Sequence, residues 1–584
     1  MAIQAILQTD TGWLLFQQPR QILVADKPAA VLPALRALEA AINQERLYAA
    51  GFLAYEAAAA FGLTVHPPDQ MPARLPLLWF GIFDAPVSLS CLPVSAAPYQ
   101  LGSWQPALSP ETYQTAITRI KAYIARGHTY QINYTFPLTA SFSGDPYALF
   151  VDMAAAQKGQ YAAYLDNGEW AVCSASPELF FQLDSELLTS RPMKGSAARG
   201  RTLAEDEAQM AWLAQSEKNQ AENVMIVDMI RNDMGRVART GSVSVSQLFT
   251  VERYPTILQM TSTVAAATNA SVTDILAHMF PCASITGAPK VRTMELIREL
   301  EPQPRGVYTG SIGYIAPERQ ARFQVAIRTV TVDRQRQRAV YGVGSGVVWD
   351  SDADDEWREC QLKAQIVTTQ TPPFSLLESI LWEVKSGYFL LPDHLARLSA
   401  SAIYFGIPLD LPGVEQALTA FAARLRANSK VRLTVDQAGG WQITAELLPK
   451  QSTRRAVRLG LLPMPINSSD VFLYHKTTQR AVYDVARAVR PDCDDVLLWN
   501  EKGELTETTT ANIVLELDDV LATPLVKCGL LAGVLRAAVL RGDTPPPGDK
   551  PVQERILTLS DLERCQAIYL INSVRHWRHA RLVN

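Results

Sequence analysis

The chain has 584 residues, 48% of them hydrophobic and 19% charged, with a formal net charge of −4. That length exceeds what one core usually fills, so two or more domains are expected. The near-neutral balance, without a long basic tract, argues against nucleic acid or an acidic membrane as partner and leaves small molecules and proteins.

Residues 1–10 contain no basic segment followed by an apolar run, and no later stretch reaches membrane-spanning length, so neither export nor insertion is expected. Seven cysteines, an odd number without a Cys-x-x-Cys, fit neither a disulfide framework nor a zinc spacing. A reducing cytoplasm is the expected location. Strand-like and helix-like patterns then alternate irregularly along the first half. Residues 203–237 read as one helix, because Trp212, Leu213, Val224, Ile226, Val227 and Ile230 recur among charges without a proline. This puts Lys218 and Glu222 one turn apart. Residues 314–330 and 338–348 read as strands, with Gly342-Val343-Gly344-Ser345-Gly346 letting the backbone come close to something. Residues 352–366 read as a helix that presents Glu356, Glu359 and Lys363 on one face. Thr368-Thr369-Gln370-Thr371-Pro372-Pro373 interrupts it and marks the boundary between domains at 1–367 and 374–584. Pro545-Pro546-Pro547-Gly548 marks only a loop within the second.

Each of these features has a plain structural reading when taken alone. A glutamate and a lysine on one helix face form a solvated pair, a glycine cluster at a strand end forms a turn or bulge, and a lone lysine lies on the surface. The order of motifs carries more. In sequence it runs Tyr130-Gln131-Ile132-Asn133, Ser176-Pro177-Glu178, Pro192-Met193-Lys194-Gly195, Ala221-Glu222-Asn223-Val224-Met225-Ile226-Val227-Asp228, Arg231-Asn232-Asp233, Thr286-Gly287-Ala288-Pro289-Lys290 and Gly344-Ser345-Gly346. That series resembles the chorismate-utilising enzymes, specifically the aminodeoxychorismate synthase component I branch related to anthranilate synthase.

The resemblance implies an α+β domain of packed antiparallel sheets and helices. It implies that Glu222 and Glu359 hold magnesium with Glu356 nearby, a hard cation on carboxylates. Tyr308 and Arg328 would receive the enolpyruvyl carboxylate of chorismate, with Thr286, Gly287, Lys363 and the backbone of Gly344, Ser345 and Gly346 as further contacts. Glu178 would be the general acid on the departing ring 4-hydroxyl, and Lys194 the nucleophile at C2, displaced when ammonia enters at C4. Anthranilate synthases carry alanine where Lys194 stands, and salicylate and isochorismate synthases carry a lysine in place of Gln131. Two departures stand out. Ser196 replaces a usual threonine but keeps a hydroxyl, and Gln259 replaces a frequent histidine, which puts any histidine proton transfer there in doubt. None of the seven cysteines has the Gly-x-Cys-x-Gly setting of the family's glutaminase, so a separate glutamine amidotransferase partner is expected.

The second half contains His394-Leu395-Ala396-Arg397-Leu398, Tyr474-His475-Lys476-Thr477-Thr478-Gln479-Arg480, Leu505-Thr506-Glu507-Thr508-Thr509-Thr510-Ala511-Asn512 and residues 529–536. It resembles the fold-type IV pyridoxal-phosphate enzymes, a group of aminotransferases and aminodeoxychorismate lyase. By that resemblance Lys476 carries the cofactor, Arg397 clamps its phosphate, and Glu507 keeps its pyridine nitrogen protonated. The backbone of Val534 and Leu535 would replace a missing threonine at the phosphate. Ser379 and Asn572 fall where relatives have small polar groups near the substrate. The fusion implies a bifunctional enzyme making 4-aminobenzoate, a folate precursor, from chorismate and ammonia. The alternatives are an amino-acid aminotransferase or a catalytically silent dimerisation or binding module as the second domain. Relatives of the second domain often form homodimers.

Overall fold

The computed structural model describes residues 3–583 except 71–74, 96, 158, 367–371 and 449–454. It divides into two compact units, one of residues 1–198 and 209–371, the other of residues 199–208 and 372–584. The seam expected at Thr368–Thr371 lies outside the described residues.

In the first unit the described residues build two antiparallel sheets, of eleven and ten strands. The larger runs from Gly287–Ala288 through Gln131–Gly144, Arg338–Val347, Thr329–Asp333, Trp170–Ser176 and Tyr161–Asp166 to the N-terminal hairpin Gln4–Thr9 and Gly12–Gln17. The smaller runs from Met193–Ala198 through Ile257–Ala267, Leu187–Arg191, Leu179–Asp184, Gln320–Val325, Ser311–Ala316 and Tyr48–Leu53 to Leu78–Phe83 and Gln21–Ala25. Strands such as Leu78–Phe83, Tyr161–Asp166 and Trp170–Ser176 are buried along their length, with one face of each sheet on the other sheet. Ala5, Leu7, Phe16, Phe52, Trp79, Leu165, Val172 and Ile312 fill that layer, and the Trp170 ring meets Phe52 and Trp79 edge-on at 5.5 and 5.4 Å.

The outer faces are covered by helices. Pro28–Glu45, Glu217–Gly235 and Val272–Met279 pack on the smaller sheet, and Pro110–Ala125, Pro146–Gln157 and Lys290–Leu300 on the larger. The single helix expected over 203–237 is two, Leu203–Gln215 and Glu217–Gly235. Ser216 turns extended between them and accepts a hydrogen bond from the Asn219 N–H, starting the second helix as its cap. The strand expected over 314–330 is the hairpin Ser311–Ala316 and Gln320–Val325, continued by Thr329–Asp333. Its turn uses left-handed Glu318 and Arg319 at φ 62° and 58°, residue types that do not announce such a turn.

The second unit has a four-stranded antiparallel sheet, Gly387–Tyr388, Leu376–Glu383, Ser429–Val435 and Trp441–Leu447. Helices Leu391–Phe405 and Leu411–Ala422 close its core over Ile380, Leu398, Val414, Leu418, Val431 and Leu433. A mixed eight-stranded sheet follows, and pairing of Glu507 with Asn512 links Leu505–Thr508 to Asn512–Leu517 and closes part of it into a ring. No helix among the described residues is long and apolar enough to cross a membrane.

Candidate active sites

In the first unit, the strand Met193–Ala198 pairs with Ile257–Ala267 through a register shift between Met193 and Ser196. The extra residue falls at Lys194-Gly195, and Gly195 takes φ 92°, a conformation that suits glycine at a bulge. The bulge is clamped from both sides. Asn223 Nδ2 donates to the Lys194 carbonyl at 3.1 Å, Gln259 Nε2 donates to the Gly195 carbonyl at 2.8 Å, and Ser262 Oγ donates to Asn223 Oδ1 at 2.6 Å. Gln259 therefore acts here as an amide donor to the backbone. Ser196 is exposed and its hydroxyl has no hydrogen-bond partner among the described residues, so the threonine-like bond is not made.

Lys194 Nζ lies 3.5 Å from Glu222 Oε2. A Cβ on Gly346 would stand 2.4 Å from that nitrogen and 2.9 Å from Gln131 Nε2, which explains the glycine in mid-strand. Gln131 is fully buried with both amide atoms unpaired. Glu178 follows the Ser176-Pro177 turn and is 3% exposed. Burial raises its carboxyl to about 7, against the opposing pull of the Ser284 hydroxyl, the Met193 N–H and Lys194. Its Oε1 has no partner.

Glu359 and Lys363 occupy one face of helix Ala353–Ile366 and pair at 2.7 Å. Burial pushes the Glu359 carboxyl up, but Lys363 and then Lys194 overcome it, so the net direction is down. Lys363 also donates to the Gly344 carbonyl at 2.8 Å. Of the residues expected at magnesium, Glu222 pairs with Lys194 and Glu359 with Lys363, and Glu356 lies outside both pairs. Among the described residues no group of three acidic, histidine or cysteine side chains converges.

The remaining expected contacts divide by what they have free. Arg328 holds a left-handed φ of 50° and bonds the Gln157 carbonyl oxygen of the side chain, with no carboxylate partner among the described residues. Tyr308 lies under Gly342, where a Cβ would come within 2.1 Å of its ring. Gly287 sits where a Cβ would meet the Gln131 carbonyl at 2.0 Å. Thr286 turns its hydroxyl back onto the Cys282 and Ala283 carbonyls, and Ser345 Oγ is 2.8 Å from Tyr113 Oη. Both hydroxyls are thus engaged within the protein, leaving the backbone of these segments.

Sequence reasoning missed a network behind them. Arg305 pairs with Glu301 at 2.7 Å and donates to the Ile285 and Asn133 carbonyls at 2.9 and 2.7 Å, while Glu56 accepts from the Arg305 and Gly306 N–H groups. Buried ions survive only when so fully bonded. The pattern carries no periodicity that would reveal it.

In the second unit, a cavity of about 500 Å³ contains Lys476, Arg397, Glu507, Ser379, Asn572 and Val534 in its wall. The Lys476 carbonyl accepts from the Leu377 N–H at 2.9 Å. Burial lowers the Lys476 amine to about 8, helped by Arg397 and Arg480 and opposed by Glu378 and Glu507. Glu507 is raised to about 7 by burial. It accepts from Tyr483 Oη at 2.7 Å, Asn512 Nδ2 at 3.1 Å and the Leu531 N–H at 3.2 Å. Arg397 gives Nε and Nη2 to Glu378 at 2.9 and 2.7 Å, and Nη1 to the Ala532 carbonyl at 3.2 Å. His394 Nδ1 meets the same glutamate at 2.6 Å. Burial raises the Glu378 carboxyl, yet Arg397 and His394 bring it down to about 2.

Helix Val534–Arg541 starts at Gly533, whose Cβ would collide with Asn512 Oδ1 at 1.9 Å. Val534 reaches the cavity, whereas the Leu535 side chain packs in the core with Val514 and Ile571. The Asn572 side chain is committed to a turn, donating to the Thr510 carbonyl at 3.2 Å and accepting from the Val574 and Arg575 N–H groups at 3.1 and 2.8 Å. Tyr483 and Glu378 were missed from sequence, and Asn512 entered only as the end of its motif.

Two packed sheets carrying a lysine-carboxylate site, followed by a unit with a buried lysine facing a carboxylate, define a two-module enzyme. The chain belongs to the chorismate binding enzyme family, whose model matches residues 5–369, and residues 375–583 match the amino-transferase class IV model. Aminodeoxychorismate synthase component 1 of Bacillus subtilis (strain 168) is 37% identical over 298 residues, 51% of this chain and 62% of that protein. The protein of that name from Klebsiella aerogenes is 41% identical over 294 residues, 50% of this chain and 62% of its own length. This chain therefore spans less than two thirds of either relative. The crystal structure of anthranilate synthase component I from Streptococcus pneumoniae TIGR4 shares the fold of the first unit, with a TM-score of 0.52 at 24% identity over 63% of this chain and 91% of that one.

Proposed function

We propose that the chain converts chorismate and ammonia to 4-amino-4-deoxychorismate and water in its first unit, and that product to 4-aminobenzoate and pyruvate in its second. The observation that carries the reading is the Lys194 amine, aimed by a clamped bulge to 3.5 Å from Glu222 with a neutral-leaning Glu178 in the same unit. Protonated Glu178 gives its proton to the ring 4-hydroxyl, which leaves as water while the Lys194 nitrogen bonds C2. Ammonia then bonds C4 and the C2–nitrogen bond breaks, restoring the lysine. Arg328, free of any carboxylate, receives the enolpyruvyl carboxylate. Glu222 and Glu359 offer the oxygen donors that suit magnesium, which would bind the ring carboxylate and offset its charge.

The second unit fits pyridoxal phosphate by its own groups. It has a buried amine that is neutral in part near pH 8, a hydrogen-bonded carboxylate at Glu507, and Arg397 beside a helix start at Gly533. The cofactor would supply an electron sink for the elimination. Lys476 takes the proton from C4 and returns one to the departing pyruvate. A separate glutamine amidotransferase would deliver the ammonia, with free ammonium serving at higher concentration.

The test is an end-product assay of the purified chain with chorismate, ammonium, magnesium and pyridoxal phosphate. The expected result is 4-aminobenzoate, abolished in Lys194→Ala and replaced by accumulated aminodeoxychorismate in Lys476→Ala. Wild type that stops at aminodeoxychorismate would refute the second half of the reading. A keto-acid-dependent amino-acid product would make that unit an aminotransferase.

A further inference from the structure

The cavity around Lys476 is walled by seven basic side chains and two acidic ones. Some of that charge is already answered. Arg397 rests on Glu378, Lys430 lies 3.5 Å from Glu446, and Arg480 donates to the Thr509 carbonyl. Arg578 differs. It stands on strand His576–Leu582 opposite Leu570 and reaches the cavity wall. Its Nε is buried and unpaired, and its guanidinium has no hydrogen-bond or ion-pair partner among the described residues.

The carboxylate whose charge it feels is Asp495. That carboxylate is already used, because it accepts from Thr508 Oγ1, Thr509 N and Oγ1, and Thr510 Oγ1. Arg575, held by the Asn572 turn, also lines the cavity and repels Arg578. Burial first, and then Arg575, push the Arg578 guanidinium down from its usual value. A partly buried guanidinium beside a second one, its nearby carboxylate already bonded elsewhere, is better placed when a ligand brings an anion.

We propose that Arg578, backed by Arg575, is a receptor for a substrate carboxylate, and that the second unit selects amines bearing two carboxylates over simple monocarboxylates. This rests on the proposed function, in which the cofactor phosphate has receptors of its own in Arg397 and the helix start at Gly533. The planar fork of arginine matches a carboxylate in two parallel bonds.

The test uses the full chain loaded with pyridoxal phosphate, and reads ligand binding from the cofactor's absorbance band. That readout is specific to the second unit. The probes are 3-(1-carboxyvinyloxy)benzoate, a dicarboxylate that has no amine to react, and benzoate. Arg578→Met is expected to weaken the dicarboxylate roughly 10- to 100-fold, the range of a lost charged hydrogen bond. Benzoate should change less than about threefold, on the scale where tenfold marks one such bond. The cofactor titration midpoint should stay put, and Arg578→Lys should recover part of the loss. A cofactor midpoint that moves with the variant would overturn the proposal, because the arginine would then hold phosphate. Unchanged dicarboxylate affinity, or equal losses for both probes, would also overturn it. Selective dicarboxylate binding by a wild type that makes no 4-aminobenzoate would reject the proposed function and leave the receptor standing.

Discussion

Glu178→Gln should make the first unit inactive and, at alkaline pH, more stable. The carboxyl is 3% exposed and burial raises it from the ordinary 4.5 to about 7. For an acid raised on folding, the folded state holds its proton more tightly, so no penalty exists below the unfolded value. The penalty grows as pH rises from 4.5 and is complete above about 7. A shift of that size corresponds to about 3 kcal/mol at full ionisation. Glutamine keeps the shape and never ionises, so the variant escapes the penalty. The first unit's melting temperature in Glu178→Gln minus wild type should be near zero or slightly negative at pH 5. It should rise by about 4 °C by pH 8.5, since unfolding entropy gives about 1.3 °C per kcal/mol for a unit of this size. Differential scanning calorimetry across that range measures it. Amination of chorismate should fall roughly 100- to 10,000-fold, the usual contribution of a positioned acid. A melting difference independent of pH would show that Glu178 is ionised at neutral pH, and would remove it as the acid.

Gly346→Ala should push the Lys194 amine aside, since the new Cβ would stand 2.4 Å from it. Amination should drop roughly 10- to 100-fold on the scale of a misplaced reacting group, with the melting temperature and cofactor band unchanged. A wild-type rate would mean that Lys194 does not act from this position. Glu378→Leu leaves Arg397 and His394 without their shared carboxylate, and should cost about 3 to 5 kcal/mol of second-unit stability by chemical denaturation. Because folding lowers Glu378 to about 2, its contribution is present above pH 4.5 and fades as pH falls towards 2, so the gap to the variant should narrow in acid. Cofactor uptake by the cofactor-free chain should rise with pH, with its half-rise near 8 where the Lys476 amine is half neutral, and level off above that. Stopped-flow absorbance follows it, and a half-rise near 10 would contradict the burial argument.

How far the sequence discloses these sites depends on what each residue does. Lys194, Glu178, Lys476 and Glu507 stand in ordered motifs, and the structure brings each into a site with named neighbours. Gln259 was legible only as a departure, and its use as a clamp on Gly195 needs the bulge register, which no local pattern specifies. The break at Ser216 is a local cap that the apolar recurrence over 203–237 does not register. Glu56, Glu301 and Arg305 were invisible because two of their links join residues more than 200 positions apart. Helix periodicity predicted the face shared by Glu359 and Lys363. It said nothing of which lysine each carboxylate would meet, Lys194 for Glu222 and Lys363 for Glu359.

Glu178 and Glu507 show how one physical device serves opposite demands. Burial raises both to about 7. In the proposed reactions the first would donate a proton and the second would hold a negative charge beside a protonated pyridine. Hydrogen bonds to the charged form decide between these uses. Glu178 meets the Ser284 hydroxyl and the Met193 N–H, but its Oε1 stays unpaired, so its ionised form is the less fully bonded of the two. Glu507 receives three donors, from Tyr483, Asn512 and the Leu531 N–H, and a cationic ring nearby would draw its proton affinity down further. Removing one donor should therefore shift Glu507 alone. Tyr483→Phe should weaken retention of the cofactor while leaving amination of chorismate at the wild-type rate. Equal loss in both reactions would mean that Tyr483 acts on folding and not on the charge of Glu507.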